Sequence, residues 1–200
     1  VVRIPEPLFT MRETDVRLSG EKQFDYVAGS TREKQIELEE VCTIHLKRIG
    51  AFLSPPFKEV VFSGNFPVEA TVVIPVRNRA RTICDAVNSV LRQATRFPFN
   101  LIVADNHSTD GTTALLQQYA DQRLIHLIPE RTDLGIGGCW NEVVFHEQCG
   151  RFAVQLDSDD LYADEHTLQK IVDKFYEEKC AMVIGSYQMC DFNLNPIPPG

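Results

Sequence analysis

The sequence contains no apolar run of 18 residues, so nothing in it reads as a transmembrane helix. Its opening stretch, VVRIPEPLFTMRE, lacks the apolar core of a secretory signal. There is no CxxC pair among its six cysteines (Cys42, Cys84, Cys139, Cys149, Cys180, Cys190), and its five histidines stand at no metal-ligand spacing from them. A cysteine-based metal site is therefore not expected, and Cys42, Cys84 and Cys139, set in apolar patterns, read as small core residues. Cys139/Cys149 or Cys180/Cys190 could pair as disulfides, but nothing demands it. The expectation is a reducing, cytoplasmic protein. Positive charge is also scarce: 20 Lys and Arg face 28 Asp and Glu, a net charge of -8. That opposes nucleic acid as a partner, because phosphate backbones are met with clustered cations. It does not oppose a nucleotide, which backbone amides and a metal can hold.

What is present fits a soluble globular chain, with 44% apolar and 24% charged residues over 200 positions, enough for one domain with an extension. Residues 1–66 read as an N-terminal extension, irregular over 1–30. An amphipathic helix over 31–53 carries Leu38, Val41, Cys42, His45, Leu46 and Ile49 as one stripe, with His45 taken as a packed core histidine. Lys58–Phe62 is a candidate short strand. The core domain is placed at 67–200. It alternates apolar, β-branched runs with helical periodicity: strands at 71–76, 100–104, 123–128, 151–156 and 180–186, and helices at 80–93, 112–120, 138–147 and 164–178. Such alternation predicts an α/β fold, a mostly parallel open sheet with helices on both faces. Pro196-Ile197-Pro198-Pro199-Gly200 ends the chain in a loop-like run, as if cut from a longer polypeptide.

Ligands of open α/β sheets bind beyond the carboxyl ends of the strands. Three strands end there in polar clusters: Pro75-Val76-Arg77-Asn78, Asp105-Asn106-His107-Ser108 and Asp157-Ser158-Asp159-Asp160. Asp105 or Asn106 could accept a nucleobase N–H. Asp157, beside Ser158, could hold ribose hydroxyls. Asp159 or Asp160 could carry a metal that bridges a diphosphate. Three carboxylates so close repel one another, and a hard cation such as Mn²⁺ or Mg²⁺ relieves that cost. The alternative is a turn and helix caps. Asp110-Gly111-Thr112 reads as a turn and helix start. Asp133-Leu134-Gly135-Ile136-Gly137-Gly138 opens a helix whose amides, at Gly137 and Gly138, could approach an anion. It is not the dinucleotide fingerprint, because the G-x-G-x-x-G spacing is absent, and no Walker A sequence occurs.

In order, TVVIPVRNRA, LIVADNHSTDGT, LGIGGCWN and FAVQLDSDDLY resemble family 2 glycosyltransferases of the GT-A (Rossmann-like) fold, over residues 70 to about 190. The resemblance implies a nucleotide-diphosphate sugar donor (UDP- or GDP-sugar), a divalent metal on a D-x-D motif, and inverting transfer to an acceptor hydroxyl on a carbohydrate or lipid-linked molecule. It places Pro75, Val76 and Arg77 beside the base, Asp105 and Asn106 at a paired-aspartate position, and Asp157-Ser158-Asp159 at D-x-D, with Asp160 adjacent as a further metal candidate. Three positions depart from the family pattern: Asn106 stands for an Asp, His107 for a Gly, and Trp140 for an Arg. The family's catalytic base would lie beyond Gly200, so none is assigned. Two other readings stay open: a nucleotidyltransferase, whose usual Gly-rich loop is here the glycine-free Arg77–Arg81, and a non-catalytic scaffold assembled through the 31–53 helix. Peripheral contact at the inner membrane face is left open.

Overall fold

The structure, a computed structural model, describes residues 32–54 and 58–196. The irregular arm expected over 1–30 lies outside these residues, as does the closing run 197–200. The chain divides into two units, residues 1–57 with 185–200 and residues 58–184.

In the first unit α1 (Arg32–Arg48) forms over the expected stretch, but none of its residues is buried. Leu38, Val41, Ile44 and Ile49 are all exposed, and so are Cys42 and His45. The expectation that Cys42 and His45 sit in a core is therefore corrected. Leu38, Val41, Cys42, His45 and Leu46 do recur at helical spacing, but among the described residues nothing covers that stripe. Cys190 and Pro196 form one antiparallel bridge in this unit.

The second unit is built on four strands in the order β3-β2-β1-β4. β1 (Ala70–Val76), β2 (Phe99–Asp105), β3 (Leu124–Leu127) and β4 (Phe152–Gln155) are joined by α2 (Ile83–Leu91), α3 (Thr112–Leu116) and α4 (Ile136–Val144), and α5 (Thr167–Glu178) follows β4. Every strand pairing is parallel. β1 and β2 are buried at every position, as a parallel sheet covered on both faces requires. One face holds Val72, Ile74, Leu101, Val103 and Val154 against Ile83, Val87 and Val90 of α2, Leu116 of α3, and Leu168, Val172 and Phe175 of α5. The other holds Val73, Ile102 and Ala104 against Leu134 and against Cys139 and Val143 of α4. Alternate strand residues thus point to opposite helix layers.

Two expected strands are absent. Lys58–Phe62 joins no ladder. Its backbone makes one hydrogen bond, Val60 N–H to the Lys179 carbonyl, and Phe62 is held edge-on by Phe152 and Tyr176. Residues 180–186 join no ladder, with Met182 and Ile184 exposed. Both segments carry strand-like composition, yet neither pairs with β3 or β4, the two edges of the sheet, and pairing rather than composition makes a strand. Among the described residues, no helix is long and apolar enough to cross a membrane.

Candidate functional site

The chain steps outward from β1 to β2 and β3, then returns to place β4 on the other side of β1. The sheet's switch point is therefore the β1/β4 junction, where the ends of neighbouring strands diverge and leave a crevice. β4 ends opposite Val73 while β1 runs on to Val76, so the turn after β4 folds over the end of β1. α4 lies on β1 and β2, and it leaves Ala153 and Gln155 of β4 exposed. A cleft of about 400 Å³ opens here. Its walls are Pro75, Val76, Arg77 and Arg79 after β1, Asn106 after β2, Asp157, Ser158 and Asp159 after β4, and Leu134, Gly135, Ile136 and Cys139 at the start of α4.

The sheet's alternation separates the two residues that the sequence left together. Asp105 is the last residue of β2 and points, like Leu101 and Val103, toward the layer opposite α4. It is fully buried. Its carboxylate accepts hydrogen bonds from Ser108 N–H and the Thr113 hydroxyl and lies 3.3 Å from His126 Nε2. Burial alone would raise its pKa, but the bonds from Ser108, Thr113 and His126 together outweigh that and hold it below the ordinary 3.8. Asp105 does not line the cleft. Asn106 does, and it is only 7% exposed. Its Nδ2 donates to the Leu134 carbonyl, which fixes the amide's orientation. Its Oδ1, also buried, has no partner among the described residues. A buried acceptor left unpaired is costly, and this one belongs to a wall of the cleft.

The loops after β1 and β2 are stitched together. Asn78 N–H donates to the Ser108 hydroxyl and Asn78 Oδ1 accepts from Thr109 N–H. Arg79 N–H donates to the Thr113-preceding hydroxyl of Thr112, and Ala80 N–H donates to Asp110. Asn78 is thus a bracing residue outside the cleft lining, and Asp110 braces the same loop. Asn78 and His107 both adopt left-handed backbone (φ 57° each). Asn tolerates that conformation well. At His107 it accounts for the glycine of the family pattern, and here the ring is anchored at the Arg131 carbonyl.

The turn after β4 carries the acidic cluster. Asp157 accepts from the Gln155 amide, and the Ser158 carbonyl accepts from the Thr82 hydroxyl. Asp159 is 55% exposed and lies 3.9 Å from Arg79 Nε. Asp160 closes the turn through its N–H to the Asp157 carbonyl. Partial desolvation, and then the charges of Asp157 and Asp159, raise its pKa. Asp157, Asp159 and Asp160 are the metal candidates of the sequence; among the described residues no three such side chains form a metal-holding group, and Asp160 is not among the cleft's walls. Asp157 and Asp159 both line it. Two carboxylates beside a space open to a ligand's own oxygens fit a Mg²⁺-like ion, which takes few protein oxygens.

At the start of α4, Gly135 and Ile136 line the cleft, whereas Gly137 and Gly138 lie inside the first turn and do not. A Cβ at Gly138 would come within 2.7 Å of the Leu134 side chain, so Gly138 lets the helix sit close on Leu134. Trp140 is partly buried against the α4-side core. Arg79, Leu134, Gly135, Ile136 and Cys139 are the wall residues that the sequence did not single out for this cleft.

The model of the family described as "Glycosyl transferase family 2" matches residues 71–200. TuaG of Bacillus subtilis (strain 168), provisionally named a teichuronic acid biosynthesis glycosyltransferase, is 33% identical over 127 residues, 62% of this chain and 49% of its own length. The UDP-Glc:alpha-D-GlcNAc-diphosphoundecaprenol beta-1,3-glucosyltransferase WfgD of Escherichia coli is 28% identical over 123 residues, 62% of this chain and 47% of its own. The chain thus spans about half the length of these relatives. The crystal structure of Staphylococcus aureus TarS 1–349 superposes with a TM-score of 0.47 at 28% identity, over 55% of this chain and 32% of that one.

Proposed function

This chain belongs to glycosyl transferase family 2, and we propose that it forms the donor-binding part of a glycosyltransferase. The donor is a UDP- or GDP-sugar lying along the cleft: its base toward Pro75, Val76, Arg77 and Asn106, its ribose toward Asp157 and Ser158, its diphosphate toward Asp159. The observation that carries this reading is the unpaired, buried Asn106 oxygen in the same cleft as Asp157 and Asp159. One end thus offers an acceptor suited to a base N–H, and the other offers oxygens suited to a diphosphate-bound cation. Asp159 and Asp157 would hold Mn²⁺ or Mg²⁺, which supplies charge stabilisation to a departing diphosphate. The acceptor is a carbohydrate or lipid-linked hydroxyl, attacked with inversion at the anomeric carbon. WfgD, named for transfer to a lipid-diphosphate-linked sugar, supports that acceptor class. Such a donor places the protein in the cytoplasm, with the inner membrane face as a contact.

Calorimetric titration of UDP and GDP, with Mn²⁺ present and then chelated, tests the reading on this chain and on Asp159→Ala. Metal-dependent binding of one nucleotide, lost in the variant, is expected. A folded chain that binds neither nucleotide overturns it. Release of free nucleoside diphosphate from a sugar donor, rather than pyrophosphate from a triphosphate, separates sugar transfer from nucleotidyl transfer.

A further inference from the structure

Arg79 stands in the cleft with its backbone fixed and its head loosely held. Its N–H is bound to the Thr112 hydroxyl, and its carbonyl accepts from Thr82 and Ile83 N–H groups. Its guanidinium is half exposed. Nη1 reaches the Asn78 carbonyl at 3.2 Å, and Nε lies 3.9 Å from Asp159 Oδ2. That last distance is an ion pair and too long for a hydrogen bond. The partner carboxylate lines the cleft half exposed and is open to a divalent cation, and a carboxylate oxygen bound to such an ion has less charge to offer a guanidinium. The planar fork of Arg suits phosphate oxygens bidentately.

We propose that Arg79 is an exchange residue of the diphosphate subsite: it rests against Asp159 when no metal is bound, and moves onto the donor's diphosphate oxygens when a cation takes Asp159. This rests on the donor-site reading above. It assigns to Arg79 a positioning role toward the diphosphate that the cleft's shape alone does not. The two states are linked, because Arg79 and the cation compete for the same oxygens, so removing Arg79 leaves Asp159 freer for metal.

The test compares the unsubstituted chain with Arg79→Ala and Arg79→Lys. Titrations use Mn²⁺ alone, then UDP, GDP and the matching nucleosides at saturating Mn²⁺. In Arg79→Ala, the nucleoside diphosphate that binds is expected to weaken by about tenfold or more, the matching nucleoside to bind unchanged, and Mn²⁺ alone to bind as well or better. Arg79→Lys, which keeps the charge without the fork, should recover part of the loss. Equal loss for nucleoside and nucleoside diphosphate overturns the inference, since it marks general damage to the cleft. Weaker Mn²⁺ binding overturns it too, since Arg79 would then be a prop for Asp159. Unchanged diphosphate affinity in Arg79→Ala makes the pair a surface contact only, with the donor site intact. No nucleotide binding by the unsubstituted chain overturns the donor-site reading and this inference with it.

Discussion

The two ends of the sheet are built in opposite ways from the same strands. At the amino ends, Phe152 stacks on Phe175 with centroids 4.5 Å apart and meets Phe62 and Tyr176 edge-on. Most polar groups beside them are paired, although the buried Arg151 Nε makes an ion pair without a hydrogen bond. Arg151 donates to the Ser63 and Gly64 carbonyls and lies 3.2 Å from Glu69, which also accepts from the Tyr176 hydroxyl. Thr71 donates to Asn100 Oδ1 and accepts from Gly150 N–H, and Asn100 Nδ2 donates to the Gln148 carbonyl. At the carboxyl ends the Asn106 oxygen is unpaired, Arg79 and Asp159 form only a long ion pair, and the Asp157 and Asp159 carboxylates line the cleft. One end meets nearly all of its own hydrogen-bonding needs; the other leaves a cleft-lining acceptor and carboxylates open to a ligand. Stability belongs to the first, and the proposed donor site to the second.

The largest test of that contrast is Phe152→Ala. Removing a buried ring from the stacked cluster should cost about 3–5 kcal/mol in denaturant unfolding, while the fraction still folded keeps its nucleotide affinity. Loss of affinity in the folded fraction would mean that the two ends are coupled. Next is Thr71→Val, which keeps the shape and strands Asn100 Oδ1 and Gly150 N–H without their partner. A cost of about 1–3 kcal/mol is expected, again without change in binding. Asp105 sharpens the contrast from the other end, since it is a polar residue there that is fully paired. Its folded pKa lies below its unfolded one, so its contribution is complete above pH 3.8 and is lost as pH falls through the folded value. Acid unfolding followed against pH should show a shallower slope in Asp105→Asn; an unchanged slope would place the acid-sensitive groups elsewhere. The smallest effect is expected for Asp159→Ala, within about 0.5 kcal/mol of the parent in stability. A larger cost would show that the exposed turn holds the fold together.

Much of the sheet was legible because parallel strands buried on both faces read as unbroken apolar runs, as in TVVIPV and NLIVA. The same composition misled at 58–62 and 180–186, which pair with neither edge of the sheet, and pairing is a property of the whole sheet. The cleft's polar rim was legible from where strands end. Choosing between Asp105 and Asn106 was not, because it depends on which face each residue takes once β2 is in register with β1. Arg79 was missed as a wall residue because a loop residue's direction is set by its bracing, here by Thr112 and Asp110, more than 30 positions away. Cys139 reads as a small core residue in the sequence, and it is one that also lines the cleft, together with the core residue Leu134.

The stitching between the loops after β1 and β2 sets where conformational freedom remains. Five hydrogen bonds join Asn78, Arg79 and Ala80 to Ser108, Thr109, Thr112 and Asp110. That wall, with Asn106 beside it, enters an encounter already ordered, so a ligand meeting it loses little further chain entropy on that side. The turn at Ser158 is tied to α2's approach by the Thr82 hydroxyl, and the side chains of Arg79 and Asp159 are half exposed. Ordering on binding therefore falls to a few rotamers around the acidic turn, and the heat and entropy of association should report on that turn rather than on the braced wall beside Asn106.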